Sequence, residues 1–324
     1  MKKKVFKIIR NTLIVCLAFY VAAFLLAALL HATYFRNKYE QIQPYGEMIP
    51  VFDGQMHISQ SGEGDTTIVL LPGLGEGLPS ADFAPLIREL SKDYHVVCVD
   101  YFGVGFSTET ERERTCENYA AEIREVLHNA GIEGPYVLMP HSISGLYCEY
   151  FAFSYPEEVK AIISLDGTPS TYTEDIPAFL RTVMSAAYRV LEFTGAEVNT
   201  LLQTNTVQMV NVYGYTEKEV EDYLIFSGFM VNDDLIETSA NTDLLINEVM
   251  DLELPEGILC YKFNSQDVYD KNVGNMTGEQ VQLDHLAHIG AENSWCVLEG
   301  SHFVYREHWE EIASITREFL AGME

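Results

Sequence analysis

Basic residues are scarce in this sequence, which has 20 Lys and Arg against 48 Asp and Glu and a formal net charge of -28. A folded surface with this excess of negative charge repels phosphate groups. The composition therefore argues against nucleic acid as a partner, and against binding of the folded part to anionic lipids. Internal repeats and low-complexity stretches are also absent. What is left is an ordinary globular chain of 324 residues, a size that a single α/β domain can reach.

Cysteine pairs of the C-x-x-C type, which hold metals, are missing as well. Of the six cysteines, Cys16 lies in a long apolar run near the N-terminus, whereas Cys98, Cys260 and Cys296 lie in short apolar runs. Such surroundings are typical of buried free thiols. The sequence therefore predicts neither a disulfide framework nor a cysteine metal site.

The N-terminus carries a cluster of positive charge followed by a long uncharged run. Five basic residues lie within the first ten positions, and residues 13–30 are apolar over about the length that crosses a bilayer as a helix. Only Arg36 and Lys38 follow closely, so the positive-inside rule predicts a cytoplasmic N-terminus and an extracytoplasmic remainder at the cell membrane. The alternative is a cleaved signal peptide, whose apolar core is usually about 7 to 15 residues. The length of the run favours an uncleaved, single-pass anchor over residues 1–35.

Short apolar runs recur after a polar connector at 36–50, with helix-like segments between them. Continuous apolar strands that alternate with amphipathic helices are typical of a mostly parallel sheet with helices on both faces. The predicted fold class is therefore α/β. The predicted strands are 67–71, 95–99, 136–139, 161–165, 258–263 and 295–298.

This alternation breaks between Asp166 and Ile258, where helical patterns rich in aromatic and Met residues replace strands. An insertion of that size in a β/α plan predicts a helical cap over the end of the sheet. We place the cap at 170–255 and the core at 51–169 and 256–324.

The stretch MPHSISG, at 139–145, contains two serines where a strand-like run gives way to a helix-like one. A nucleophile in such a sharp turn needs small residues two positions before and after it. Around Ser142 these positions are Pro140 and Ser144, whereas around Ser144 one of them is Leu146, which would crowd the turn. Ser142 is therefore the predicted nucleophile. The inert alternative is a turn in which Ser142 caps the helix.

Four short motifs in order carry a wider resemblance. They are LLPGLGEG at 70–77, DYFGVGFS at 100–107, HSISG at 141–145 and LEGSHFVYREHWEEI at 298–312. From about Val51 to the C-terminus the chain resembles the α/β-hydrolase superfamily, in which the first three such motifs follow strands 3, 4 and 5, and the last comprises the final strand, the loop of the catalytic histidine and the closing helix. The resemblance implies that the cap is inserted after strand 6. It also implies that the backbone amides of Leu74 and Ile143 stabilise an oxyanion.

A serine hydroxyl needs a base within hydrogen-bond reach and a carboxylate that orients the base. His302 is the candidate base, because it follows an apolar strand and precedes a helix that fixes its loop. Asp166 and Asp267 compete as the acid. Asp166 is preferred because it comes directly after a buried strand, but Asp267 occupies the commoner location in the superfamily, and the choice stays open.

Three other residues could suggest a metal. Asp284, His285 and His288 lie at helical spacing, but solvated helix positions are the commoner explanation. We expect no metal and no cofactor.

The sequence thus predicts a membrane-anchored, extracytoplasmic serine hydrolase that cleaves a small-molecule ester, thioester or amide through an acyl-enzyme on Ser142. Serine at this position argues against the epoxide-hydrolase and dehalogenase branches, which use aspartate there. One alternative is a non-catalytic binding protein of the same fold. Another is an aminopeptidase-like amidase, which would need an acidic site in the cap for the substrate amine. Its candidate residues are Asp175, Glu192, Glu219 and Glu221.

Overall fold

A single eight-stranded sheet forms the centre of the protein in the computed structural model, which describes residues 2–196, 200–201 and 203–323. The strands are β1 Glu47–Val51, β2 Gly54–Ser61, β3 Thr67–Leu71, β4 His95–Val99, β5 Tyr136–Pro140, β6 Val159–Leu165, β7 Leu259–Ser265 and β8 Trp295–Leu298. Their order across the sheet is β1-β2-β4-β3-β5-β6-β7-β8. β2 pairs antiparallel with β1 and β4, and the remaining pairs are parallel.

The central strands are buried on both faces, which explains their unbroken apolar sequences. Successive side chains of a strand point to opposite faces. In β3, Ile68 and Leu70 therefore pack into one core layer, and Val69 and Leu71 into the other. Each layer is closed by helices, so the core lies on both sides of the sheet.

The helices surround this sheet and close its two core layers. Those before the insertion are α1 Lys2–Leu30, α2 Arg36–Tyr39, α3 Pro79–Asp82, α4 Ala84–Leu90, α5 Cys116–Asn129 and α6 Ser144–Ser154. Those between β6 and β7 are α7 Ala178–Thr194, α8 Thr206–Asn211, α9 Glu217–Phe226, α10 Asp233–Ala240 and α11 Thr242–Val249. The last are α12 Gln266–Tyr269, α13 Gly278–His288, α14 Val304–Glu307 and α15 Trp309–Ala321.

The described part of the insertion between β6 and β7 consists of helices and loops and contains no strand, as the sequence predicts for a cap. Residues 197–199 and 202 of this range lie outside the described residues. α9 packs on α3, and α11 packs on α5 and α6. Because α3 and α6 follow β3 and β5, these contacts set the insertion over the carboxyl edge of the sheet, where the candidate residues gather.

The N-terminal helix α1 continues through a π-helical turn, His31–Phe35, into α2. The helix is long and apolar enough to cross a membrane, and almost all of its described side chains are exposed. The connector expected at 36–50 is shorter than predicted, because the helix runs to Tyr39 and β1 begins at Glu47. β1 and β2 were not predicted, because these antiparallel strands at one edge of the sheet mix polar and apolar residues and lack the continuous runs of the central strands.

Candidate active site

Ser142 sits at the turn between β5 and α6. Its backbone has φ +54°, a left-handed conformation that a non-glycine residue adopts only where its surroundings enforce it. Gly73 is one of the residues that make the turn possible. A Cβ atom at this position would lie 2.9 Å from the Cβ of Ser142 and 2.7 Å from Nδ1 of His141. The sharp turn projects the Ser142 hydroxyl away from the helix and toward the loop after β8.

His302 lies in that loop, between β8 and α14. Its Nε2 is 2.8 Å from Oγ of Ser142, and its Nδ1 is 2.6 Å from Oδ2 of Asp166. The carboxylate accepts a hydrogen bond from Nδ1–H, which leaves Nε2 free to accept a hydrogen bond from the serine hydroxyl. The structure therefore brings Ser142, His302 and Asp166 into one hydrogen-bonded series.

Asp166 follows β6 directly and is also held at positive φ, +48°. Ser265, at the end of β7, donates to both carboxylate oxygens, from its amide to Oδ1 at 2.9 Å and from its hydroxyl to Oδ2 at 2.6 Å. Burial alone would raise the pKa of Asp166, but the contacts with His302 and Ser265 outweigh it and hold the pKa below its usual value. The carboxylate is therefore ionised at neutral pH.

The other candidate acid and the other serine lie apart from this series. Asp267 is exposed on α12, and its backbone amide donates to the carbonyl of Gly300 at 3.2 Å. Ser144 is fully buried, and its hydroxyl bonds the carbonyl of Pro72 at 2.5 Å and the hydroxyl of Tyr101 at 2.8 Å. Ser144 thus fastens the turn after β3 to the start of α6.

Leu74 and Ile143 line one small cavity beside Ser142, with a volume of about 20 Å³, enough for about one water molecule. Neighbouring amides are occupied: His141 donates to the carbonyl of Leu71, and Ser142 to that of Leu165. Among the hydrogen bonds formed by the described residues, none comes from the amide of Leu74 or Ile143. Both amides therefore remain available to a bound group.

Comparisons with known proteins agree with this architecture. The sequence model of the family described as alpha/beta hydrolase fold matches residues 66–213. The uncharacterized protein YbdG of Bacillus subtilis (strain 168) is 27% identical over 283 residues, 85% of either chain. The epoxide hydrolase VrEH1 from Vigna radiata superposes with a TM-score of 0.66 at 17% identity, over 87% of this chain and 98% of that one. The enol-lactonase from Burkholderia xenovorans LB400 superposes with a TM-score of 0.60 at 17% identity, over 85% of this chain and all of that one.

This is an α/β-hydrolase fold. The fold class and the family resemblance predicted from the sequence are confirmed. At these identities the solved structures support the fold alone, and the chemistry of the site depends on the side chains of this chain.

Two buried side chains that support the candidate site were not recognised from the sequence. Buried Glu76, in the glycine-rich turn after β3, bonds Nδ1 of His141, and Nε2 of His141 donates to the carbonyl of His302 at 3.0 Å. Both ring nitrogens face oxygen atoms of Glu76 and His302, an arrangement that favours the protonated imidazole. Burial opposes both charges, but their attraction outweighs it, which lowers the pKa of Glu76 and raises the pKa of His141. The sequence signal that could have identified this pair is Glu76, a carboxylate inside the glycine-rich turn at 70–77.

The His302 loop of the α/β-hydrolase fold is also fixed from α14. Arg306 makes a bidentate pair with buried Asp82, with Nε to Oδ1 and Nη2 to Oδ2 both at 2.6 Å. The hydroxyl of Tyr305 donates to the same carboxylate at 2.9 Å. The loop is therefore held at the carbonyl of His302 and again at Tyr305 and Arg306.

The prediction of solvated positions on α13 is wrong for His285, which is buried, although Asp284 is exposed. Nζ of buried Lys262 donates to Nδ1 of His285 at 2.7 Å, and Nε2 of His285 donates to Glu149 at 3.0 Å. His285 is thus a neutral imidazole inside a buried polar cluster. Among the described residues, no group of three or more His, Cys, Asp or Glu could hold a metal ion.

The cap acids proposed for an amine site do not line the cavity beside Leu74. Glu192, Glu219 and Glu221 instead pair with Arg189, Arg88 and Lys38, and Asp175 is exposed. The cap contributes a different acid to this cavity, Asp234 of α10.

Proposed function

We propose that this protein is a serine hydrolase that cleaves a small-molecule ester, thioester or amide through an acyl-enzyme. The observation that carries the proposal is the hydrogen-bonded series from Ser142 through His302 to Asp166, built on a turn with positive φ. A serine hydroxyl in contact with a neutral imidazole is activated as a nucleophile, and the carboxylate keeps that imidazole in the required tautomer.

The reaction runs in two halves. Oγ of Ser142 attacks the acyl carbon while Nε2 of His302 takes its proton, and the amides of Leu74 and Ile143 donate to the oxygen that becomes negative. His302 then gives the proton to the leaving group, which departs with its bonding electrons. In the second half, water attacks the acyl carbon while Nε2 of His302 takes its proton. His302 then gives that proton to Oγ of Ser142, and the acid product leaves. Asp166 stays ionised throughout and stabilises the imidazolium.

We place this chemistry outside the cytoplasm. The apolar helix α1 carries basic residues at its N-terminal end, and the folded part follows its C-terminal end. Protease added to sealed, right-side-out membrane vesicles should digest the folded part. A folded part shielded until the membrane is opened would contradict this topology.

The nucleophile is tested with the full chain in detergent micelles. A fluorophosphonate probe should label the wild type on Ser142, as located by mass spectrometry, and hydrolysis of p-nitrophenyl esters should fall by about a thousandfold or more in Ser142→Ala. Ser144→Ala is the control, because its hydroxyl bonds Pro72 and Tyr101 and should not be modified. Absence of labelling in a folded wild type would instead favour a binding protein, and labelling unchanged in Ser142→Ala would mean that Ser142 is not the nucleophile.

A further inference from the structure

Helix α7, the first described helix of the cap, carries a row of apolar side chains on its exposed side. Two of its polar side chains face the protein: Arg181 pairs with Asp243 at 2.6 Å, and Tyr188 bonds Ser239 at 3.1 Å. None of its 17 residues is buried. The side of the helix that carries its apolar residues therefore faces outward.

The outward side is a continuous stripe, which we define as Phe179, Val183, Ala186, Val190 and Phe193. These positions are spaced by three or four residues, so they share one face of the helix. Phe179 is 70% exposed, and Phe193 is 58% exposed. A contiguous apolar face of this kind is unfavourable in water and marks a surface that something apolar covers.

The position of α1 identifies the covering surface. The ring of Phe24 stacks on that of Phe193, with centroids 5.7 Å apart. Phe24 lies six residues before Leu30, the end of α1, which is about 9 Å along a helix. If α1 crosses a bilayer, that end of the stripe lies at the depth where interfacial helices bury their apolar faces, about 5 to 10 Å.

Apolar surface also surrounds the point where the N-terminal helix meets the cap. A pocket of about 440 Å³ lies between Tyr34 and Phe35 on one side and Val207 and Leu224 on the other. Val207 on α8 is 68% exposed. The cap thus presents apolar side chains on the side from which α1 emerges.

We propose that the stripe on α7 lies in the outer leaflet of the bilayer that α1 crosses, so that the cap rests on the membrane. The partner is the acyl-chain region of the lipids and not their charge, because the chain as a whole is strongly acidic. This inference rests on the anchored topology of the proposed function, and not on the catalytic residues.

The test uses the full chain in phosphatidylcholine vesicles whose acyl chains carry bromine, a quencher of tryptophan fluorescence. The two native tryptophans give the baseline. Phe179→Trp, at the far end of the stripe from Phe24, should add emission of which about half or more is quenched. The matched control is Phe153→Trp on α6, which replaces a Phe that is 48% exposed and should add emission that bromine leaves unchanged. Phe19→Trp, inside the apolar run of α1, reports on the anchor itself.

The outcomes distinguish the membrane anchor α1 from the contact of the α7 stripe with the bilayer. Quenching of Phe19→Trp and Phe179→Trp but not Phe153→Trp supports the inference. Quenching of Phe19→Trp alone overturns it and leaves the anchor in place, as would be found if a second copy or a soluble partner covered the stripe. Absence of quenching at Phe19→Trp overturns the anchor and the inference together. None of these results depends on hydrolytic activity.

Discussion

At the scale of single residues, the two candidate acids differ in what their carboxylates touch. Asp166 accepts from His302 and twice from Ser265, whereas Asp267 is exposed on α12. In the sequence both follow apolar strands, so local pattern could not separate them. The difference arises because β6 and β7 are neighbours, and the end of β7 supplies the two donors that hold Asp166.

Asp166→Asn should lower kcat for ester hydrolysis by about a thousandfold or more, because an amide that donates to His302 favours the wrong tautomer. Asp267→Asn is the matched control and should retain activity within about twofold. Steady-state kinetics on both full-length variants checks this. Equal losses, or a larger loss in Asp267→Asn, would refute the assignment.

Local sequence patterns predicted the role of a residue less well where that role depends on burial in the tertiary fold. The choice of Ser142 over Ser144 followed from which neighbours were small, and the structure places only Ser142 beside His302. Glu76 was not singled out, and His285 was interpreted as solvated, because each looks like an ordinary polar residue in its own segment. Only the tertiary fold brings Glu76 to His141, and His285 to Lys262 and Glu149.

At the scale of elements, the central strands could be read from sequence because burial on both faces makes them continuously apolar. β1 and β2 could not, since they mix polar and apolar residues. Hydrogen bonds between β7 and α13 have a further consequence. They hold a buried lysine and a buried histidine side by side, Lys262 and His285.

This pair predicts how stability depends on pH. Burial, and then the charge of Lys262, lower the pKa of His285 to about 4 from its ordinary 6.5. Between these values the unfolded chain binds a proton that the folded chain does not, so stability is lost as pH falls through this range. From pH 7 to pH 5 this amounts to about 2 kcal/mol.

Denaturant unfolding of the full chain in one detergent at both pH values measures the loss. It should be smaller by that amount in His285→Gln, which keeps an acceptor for Lys262. His288→Gln, a half-buried histidine on the same helix, should behave like the wild type. Identical losses in the wild type and His285→Gln would contradict the prediction.

At the scale of the whole molecule, the net charge of -28 acts on any charged substrate. A negative protein slows the approach of an anion, and salt screens this repulsion over about 10 Å at 0.1 M and about 30 Å at 0.01 M. We expect kcat/KM for an ester that carries a carboxylate to rise several-fold, about threefold or more, between 0.01 and 0.2 M salt. A neutral ester of the same chain length should change little. The same salt response for both esters would argue against a long-range field at the site.

The insertion of the cap between β6 and β7 also has a mechanical meaning. On the cap side the cavity beside Leu74 is lined by Leu235 and Thr238 of α10, so a movement of α10 would change its size. The cap chain leaves the core right after Asp166, where the amide of Thr168 donates to the carbonyl of Ser142 at 2.9 Å. The first residues of the insertion are therefore held to the turn that carries Ser142. A movement of the cap that keeps this hydrogen bond would have to begin after Thr168, and the reacting residues would then keep their positions.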